Sequence, residues 1–219
     1  MININGKPMI HHVWERSLKS KLIDSLIVAT DDKRIFDAVK RFGGDAVMTS
    51  KNHKSGTDRI GEIAKSRNCK IVVNIQGDEP FIDARNIDRA IKPFLSDKKI
   101  SVSTLCCKIK NKDELNNPNV VKVIFDKNYN ALYFSRYAVP YIRSKPDKQV
   151  FYKHIGLYAY RKNFLLKFIK LRQTKLEKTE KLEQLRILEN GEKIKVVVTN
   201  IDSYSIDTKE DLKRLKEML

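Results

Sequence analysis

The stretch IVVNIQGDEP, residues 71–80, decides the fold of this chain because it joins an apolar strand to a polar turn that contains glycine. Its first half, IVVNI (71–75), is apolar apart from one Asn, which is typical of a strand covered on both faces. The second half ends the strand abruptly, and Gly77 lets the backbone turn or approach a ligand closely. In open α/β sheets, ligands bind beyond the carboxyl ends of the strands. The turn therefore predicts a ligand site, with the carboxylate of Asp78 pointing into the cleft.

Strands and helices alternate on both sides of this stretch in the first half of the chain, which predicts a parallel, doubly wound sheet. Strands are predicted at 26–30 and 45–49, and helices at about 8–19, 33–41, 57–66 and 83–95. The second half is richer in strands, which indicates a mixed sheet with an antiparallel arm. Its predicted strands are 100–109, 120–126, 131–135, 153–161 and 196–199, with helices near 162–171 and 179–190, and a terminal helix capped by Thr208 and Asp211. We predict one α/β domain over residues 1–219.

The composition limits the classes of function. The chain has 219 residues, 41% of them hydrophobic, and a formal net charge of +17. Such a charge suits nucleic acid, an acidic membrane surface or a small anionic substrate. The lysines are spread along the whole chain, as codon bias also produces, and this diffuse pattern does not favour a nucleic-acid-binding stripe. No segment resembles a signal peptide or a membrane span. The cysteines, Cys69, Cys106 and Cys107, lack metal-ligand spacing and are expected to be reduced. These features predict a soluble, cytoplasmic protein.

Several polar residues stand where they could form a site. Asp207 precedes the terminal helix, and together with Asp78 it could hold Mg²⁺, which prefers one or two carboxylates plus substrate phosphates. Each aspartate could equally be a turn cap or a helix N-terminal acid. Ser55-Gly56-Thr57-Asp58-Arg59 is either a plain helix start or an anion site. Further candidates lie beside strands or within the predicted helix 179–190: Arg136, His154, Glu183 and Gln184.

Nine segments in order resemble one enzyme family, the 3-deoxy-manno-octulosonate cytidylyltransferases (CMP-Kdo synthetases). The resemblance runs from Asn5 to the C-terminus and rests on GKPMIHHVWER, IVATDD, SGTDR, VNIQGDEPFI, NPNVVKV, ALYFSR, HIGLYAYR, LEQLRILENG and SIDTKEDL. It implies a Rossmann-like nucleotidyltransferase (GT-A-like) fold, with the sugar-acid pocket and a β-rich dimerisation arm at about 120–160. It also implies CMP transfer from CTP to 3-deoxy-D-manno-octulosonate (Kdo), with Mg²⁺, in a cytoplasmic homodimer that serves lipopolysaccharide biosynthesis.

The resemblance also implies roles for particular residues. Asp78 and Asp207 match the metal-binding, catalytic aspartates, and Arg136 is the third expected catalytic residue, pairing with the sugar carboxylate. The remaining matches are expected to bind the sugar acid: Arg59, Gln76, Tyr133, Ser135, His154, Glu183 and Gln184.

The family's usual first strand and arginine-rich phosphate loop have no counterpart in this sequence. We expect their absence to remove the main cationic cradle for the triphosphate and to leave neighbouring strands unpaired. Gly6-Lys7-Pro8 aligns with a later segment of the family, so Lys7 is not assigned to the phosphates. An internal methionine read as the start would explain the difference.

Three other readings remain open from the sequence. The first is a cytidylyltransferase for a related acid, such as 8-amino-Kdo or a sialic-type sugar. The second is an inactive remnant that binds a sugar acid or a partner. The third, a basic nucleic-acid-binding protein, rests only on the net charge and predicts salt-sensitive binding.

Overall fold

The computed structural model describes residues 2–144 and 150–203. Its helices are α1 (Met9–Ser17), α2 (Lys33–Arg41), α3 (Gly56–Ser66), α4 (Ala84–Ser96), α5 (Lys112–Asn116), α6 (Lys162–Phe168), α7 (Lys175–Glu180) and α8 (Leu185–Glu189). Its strands are β1 (Asn3–Ile4), β2 (Lys7–Pro8), β3 (Val28–Thr30), β4 (Ala46–Met48), β5 (Ile71–Asn74), β6 (Val102–Lys108), β7 (Lys122–Phe125), β8 (Ala131–Ser135), β9 (Tyr152–Arg161) and β10 (Lys195–Thr199).

A six-stranded mixed sheet organises the chain around β9. The strand order is β10-β6-β9-β7-β8, and β5 also pairs with β9. Strands β10 and β6 are parallel, whereas β9 is antiparallel to β5, β6 and β7. Strands β3 and β4 form a separate parallel pair. This arrangement confirms the predicted mixed α/β sheet.

Helices cover both faces of this sheet. One core lies on the side of α3, α6 and α8 and includes Phe134, Tyr160 and Phe168. The other lies on the side of α1 and α4 and includes Ile87, Phe94 and Leu105. Side chains that alternate along β6 feed the two cores in turn, as the two-residue period of a strand requires.

Strand β5 is covered on both faces, as its sequence predicts, but it is only half-buried. Val72 packs against the first core, and Ile71 and Val73 pack against the second. Within the residues that the structure describes, β5 pairs only with β9, and β3 pairs only with β4. Each of these two strands therefore has one edge without a hydrogen-bonded neighbour in that part of the chain, which explains the residual exposure of β5.

The predicted helix 179–190 is wrong, because two short helices, α7 and α8, replace it. Lys181, the C-cap of α7, has φ +54°, a left-handed conformation that ends the helix. Glu183 and Gln184 consequently lie in the turn before α8, not inside a helix. The hairpin β1–β2 and helix α5 were not predicted. The proposed capping box of Thr208 and Asp211 lies outside the described residues.

Two expectations drawn from composition are also addressed by the structure. All three cysteines are free, in agreement with the prediction that they are reduced. None of the described helices is long and apolar enough to cross a membrane.

Candidate active site

The turn after β5 has the position predicted for a ligand site. The amide of Glu79 donates to the carbonyl of Gln76 at 3.3 Å, which closes the turn. The side chain of Gln76 lies against the start of α3, because a Cβ added at Gly56 would be 3.4 Å from Gln76 Oε1. Asp78 follows in the same turn and is half-buried. Gln76 and Asp78 thus lie beyond the carboxyl end of β5.

The chain after β10 approaches this turn. Glu79 is only 5% exposed, and its Oε2 accepts a hydrogen bond of 3.0 Å from the hydroxyl of Ser203. Asp207 follows Ser203 closely in sequence but lies outside the described residues. The pairing of Asp78 with Asp207 therefore stays a prediction, although the segment that leads to Asp207 contacts the turn that carries Asp78.

The carboxylates in this region suit a Mg²⁺ ion that takes most of its ligands from the substrate phosphates. Across 2–144 and 150–203, no group of three or more His, Cys, Asp or Glu side chains could hold a metal ion by itself. Magnesium commonly binds one or two carboxylates and completes its shell with phosphates and water. One half-buried aspartate at a strand end fits that pattern, and a site made only of protein ligands does not.

The start of α3 meets the turn before α8 through a buried polar network. Ser55 caps α3 by accepting from the amide of Asp58 at 3.1 Å. The buried hydroxyl of Thr57 donates to Glu183 Oε2 at 2.5 Å and accepts from Asn74 Nδ2 at 3.4 Å. The structure therefore joins Glu183 to the end of β5 through Thr57.

Glu183 is held in an environment that favours its neutral form. Its Oε1 atom is inaccessible to water and has no hydrogen-bond partner among the described residues, although it lies 3.5 Å from Arg186 Nη2. Burial raises the pKa of the Glu183 carboxyl. The adjacent Gln184 is also buried, with 7% of its surface exposed. Both predicted residues thus face the interior from a turn.

His154 lies on β9 and is bonded to the neighbouring strand. Its Nε2 atom is 2.8 Å from Thr104 Oγ1 on β6. Burial lowers the pKa of His154 to about 3, although the residue keeps some accessible surface. The imidazole is therefore neutral at pH 7. Its ring packs edge-on against Phe134 at 5.0 Å and lies 5.3 Å from the ring of Tyr158.

Three predicted residues at the end of β8 converge on one carboxylate. The hydroxyls of Tyr133 and Ser135 donate to Glu180 Oε1 at 3.4 and 3.3 Å. The amide of Arg136 donates to Glu180 Oε2 at 3.0 Å. The guanidinium of Arg136 donates to the carbonyl oxygens of Glu180 at 2.7 Å and Pro118 at 2.8 Å. The expected pairing of Arg136 with a sugar carboxylate stays a prediction.

Arg59 lies apart from that cluster, at the ends of β3 and β4. Its guanidinium donates to Thr49 Oγ1 at 2.6 Å and forms an ion pair of 3.0 Å with Asp31. Only 18% of its side chain is exposed. The structure thus brings together Tyr133, Ser135 and Arg136, but it does not add Arg59 to them.

Sequence reasoning missed the residues that hold the predicted ones. These are Thr104, Glu177, Glu180 and Arg186, whereas Thr57 belongs to the segment 55–59 that the sequence itself marks as a candidate anion site. The alternation along β6 would have indicated the face of Thr104, but no local pattern marks Glu180. A surface cavity of about 430 Å³ lies at the ends of β6 and β10 rather than among the predicted residues. Its walls include Arg89, Lys108 and Asp202.

Comparison with known proteins gives consistent results along the chain. Residues 1–194 match the family described as Cytidylyltransferase. A 3-deoxy-manno-octulosonate cytidylyltransferase from Syntrophus aciditrophicus is 48% identical over 222 residues, covering 100% of this chain and 90% of the relative. The enzyme of that name from Geobacter sulfurreducens is 44% identical, covering 100% of this chain and 92% of its own.

Solved structures agree with these relatives. A CMP:2-keto-3-deoxy-manno-octonic acid synthetase complexed with CTP superposes with a TM-score of 0.93 at 38% identity, covering 99% of this chain and 89% of that one. A 4-diphosphocytidyl-2C-methyl-D-erythritol synthase from Anaerococcus prevotii has a TM-score of 0.65 at 16% identity, which supports the fold alone. Fold and comparisons together define a nucleotidyltransferase enzyme. Within that class, the chain belongs to the 3-deoxy-manno-octulosonate cytidylyltransferase family.

Proposed function

We propose that this chain transfers CMP from CTP to Kdo and releases pyrophosphate. The observation that carries the proposal is the end-to-end similarity to cytidylyltransferases of that name, one of which was solved with CTP. Both proposed substrates are anions, and the net charge of +17 suits their attraction. The product would supply lipopolysaccharide biosynthesis.

The reaction would require the protein mainly to position and neutralise its substrates. The anomeric hydroxyl oxygen of the sugar forms a bond to the α-phosphorus of CTP while the bond to pyrophosphate breaks, and the hydroxyl proton passes to solvent. Positioning of this kind supplies much of the catalysis in such displacements. Gln76 and the neutral imidazole of His154 offer uncharged polar groups at pH 7 that suit sugar hydroxyls. Glu183, whose pKa is raised by burial, adds carboxyl oxygens. Arg136 supplies a cation for the sugar carboxylate.

Asp78 and Asp207 would hold Mg²⁺ in this proposal. When bound, the ion would neutralise phosphate charge and lower the pKa of the attacking hydroxyl. The half-buried position of Asp78 beyond β5 and the contact between Ser203 and Glu79 support this assignment.

The test is pyrophosphate release by the purified chain with CTP, Kdo and Mg²⁺. We expect turnover with Kdo that exceeds turnover with a sialic-type acid, and none without the sugar. Asp78→Asn is expected to lower kcat/KM by about 100-fold or more, because a metal ligand acts most strongly in the transition state. Asp24→Asn, at an exposed loop position, is the matched control and should retain wild-type activity. Binding of Kdo without turnover would contradict the proposed CMP-transfer activity and would indicate a sugar-acid-binding protein.

We also propose that the chain forms a homodimer through the region 120–160. Large apolar side chains are exposed there: Leu132 is 60%, Tyr137 82% and Tyr141 89% exposed. Exposed apolar side chains that form one contiguous patch commonly mark an interface. Light scattering after gel filtration should give twice the 25.5 kDa chain mass, and a monomer at micromolar concentration would contradict the proposal. The free cysteines support a cytoplasmic location.

A further inference from the structure

Glu180, the last residue of α7, has an unusual number of contacts with the predicted sugar-acid pocket. Its two carboxylate oxygens accept from Tyr133, Ser135 and the amide of Arg136 at 3.4, 3.3 and 3.0 Å. Its own carbonyl accepts from Arg136 Nε at 2.7 Å. This half-buried glutamate therefore contacts three residues at the end of β8, and each of them is predicted to bind the sugar acid.

The backbone around Glu180 is shaped to deliver this carboxylate. Lys181 follows with φ +54°, a conformation that non-glycine residues adopt rarely. It ends α7 at Glu180 and turns the chain toward Glu183 and Gln184. The carbonyl of Lys181 also accepts from Arg136 Nη2 at 3.5 Å. The same turn thus contacts Arg136 and leads directly to Glu183 and Gln184.

Two cationic residues, Lys122 and Arg136, lie near the carboxylate of Glu180. Lys122 is fully buried, and its ammonium donates to the carbonyl of Arg136 at 2.6 Å. Burial lowers the pKa of Lys122, and the nearby Glu180 partly offsets that effect. The side chains of both cations donate to backbone carbonyls, and the nearby carboxylate of Glu180 supplies a negative charge beside them.

We propose that Glu180 is a positioning residue for the transfer reaction, which orients Tyr133, Ser135 and Arg136 toward the sugar acid. This inference rests on the proposed function. Glu180 need not touch the substrate, because its effect passes through the three groups that it holds. The carboxylate holds the hydroxyls of Tyr133 and Ser135 and the backbone amide of Arg136, and the backbone carbonyl of Glu180 holds the Arg136 guanidinium. Together these bonds restrict the three residues more than any one of them would alone.

The test compares two acidic residues of the same helical region. Glu180→Gln removes the charge and replaces one carboxylate oxygen by an NH₂ donor, so that either the Arg136 amide or the two hydroxyls lose their acceptor. The matched control is Glu189→Gln, because Glu189 accepts from the amides of Leu176 and Glu177 at the other end of α7. If Glu180 only anchors α7, both variants should behave alike. Urea unfolding and steady-state kinetics at about 0.15 M salt, where exposed charges are largely screened, would be measured for both.

We expect Glu180→Gln to lower kcat/KM for the sugar acid by about tenfold or more, the equivalent of one or more lost hydrogen bonds. The KM for CTP should change by less than about twofold. Glu189→Gln should reduce stability while leaving both kinetic constants for the sugar acid near wild type. Equal kinetic losses in the two variants, or no loss in Glu180→Gln, would overturn the proposal. A higher kcat/KM in Glu180→Gln would also overturn it, since Glu180 would then compete with the substrate carboxylate for the same donors.

A double-mutant cycle with Tyr133→Phe keeps the inference testable if Glu180→Gln is destabilised. Tyr133→Phe should cost less in kcat/KM in the Glu180→Gln background than in the wild type, because Glu180 acts through the Tyr133 hydroxyl, which the glutamine no longer positions. If the losses in kcat/KM of the two single variants simply add in the double variant, Glu180 does not act through Tyr133 and the proposal is contradicted. An inactive wild-type chain would instead contradict the proposed function, so the two failures are distinguishable.

Discussion

The buried ion pair of Arg186 and Glu177 allows a quantitative test of what stabilises the packing of α6, α7 and α8. Arg186 Nε and Nη2 donate to the two carboxylate oxygens of Glu177 at 2.8 and 2.5 Å. The two side chains are only 7% and 5% exposed, and the guanidinium lies 4.9 Å from the centre of the Phe168 ring. The same Glu177 accepts from the amide of Thr174 in the capping box of α7. The pair therefore connects α7, α8 and α6.

Arg186→Met should destabilise the protein by about 3–5 kcal/mol, which is typical when one partner of a buried pair is removed. The methionine fills much of the volume and keeps a contact with Phe168. The loss thus comes mainly from the buried carboxylate of Glu177, which is left without its cation. Lys33→Met is the control, because its pair with Asp37 is exposed and such pairs contribute about 0.5 kcal/mol or less.

Urea unfolding followed by far-UV circular dichroism measures the difference. With a slope of about 2–3 kcal/mol per M for a chain of this size, the midpoint should fall by about 1–2.5 M. The double variant Glu177→Gln, Arg186→Met should recover part of this loss, because the uncompensated charge is gone. A midpoint within about 0.3 M of wild type for Arg186→Met would refute the reasoning.

Two further predictions concern β9. In the His154→Gln variant, the free energy of unfolding should decrease less than in the wild type as the pH falls from about 7 to about 4. In the wild type the folded-state pKa of about 3 lies below the ordinary histidine pKa of 6.5, so the stability that the neutral imidazole contributes is present above about pH 6.5 and is lost as the pH falls toward 3. Thermal unfolding across that range checks this, and parallel curves for the two proteins would contradict it. Tyr158→Phe should be as stable as wild type or more stable by about 1 kcal/mol, because the buried Tyr158 hydroxyl has no hydrogen-bond partner among the described residues. Tyr160→Phe is its matched control on the same strand, and a clear loss of stability in Tyr158→Phe alone would show that its hydroxyl is satisfied.

Much of the fold follows from local patterns in the sequence. The apolar runs at 28–30, 71–74 and 195–199 are strands, since each must bury side chains on both faces of a sheet that helices cover. The positions of Gln76 and Asp78 were predictable for the same reason, because polar residues that end a buried strand lie at the edge where ligands bind. These predictions need only one segment at a time.

The parts that sequence reasoning missed depend on contacts between distant segments. KLEQLRIL has the spacing of one helix, and nothing in its residue types requires the left-handed conformation of Lys181 that breaks it. Glu180 meets Ser135 across 45 positions, and its role follows only from that break. Lys122 looks like a surface lysine in VVKVIFD, yet it is fully buried because three backbone carbonyls accept its hydrogen bonds. Such pairings are set by tertiary packing and not by local propensity.

The most direct test of the central claim is to identify the product that the purified chain makes from CTP, Kdo and Mg²⁺. Phosphorus NMR and mass spectrometry of the reaction mixture should show pyrophosphate and a phosphodiester that joins CMP to the sugar acid in equal amounts. Unchanged CTP, or free CMP without the sugar conjugate, would contradict the assignment of this chain as a Kdo cytidylyltransferase.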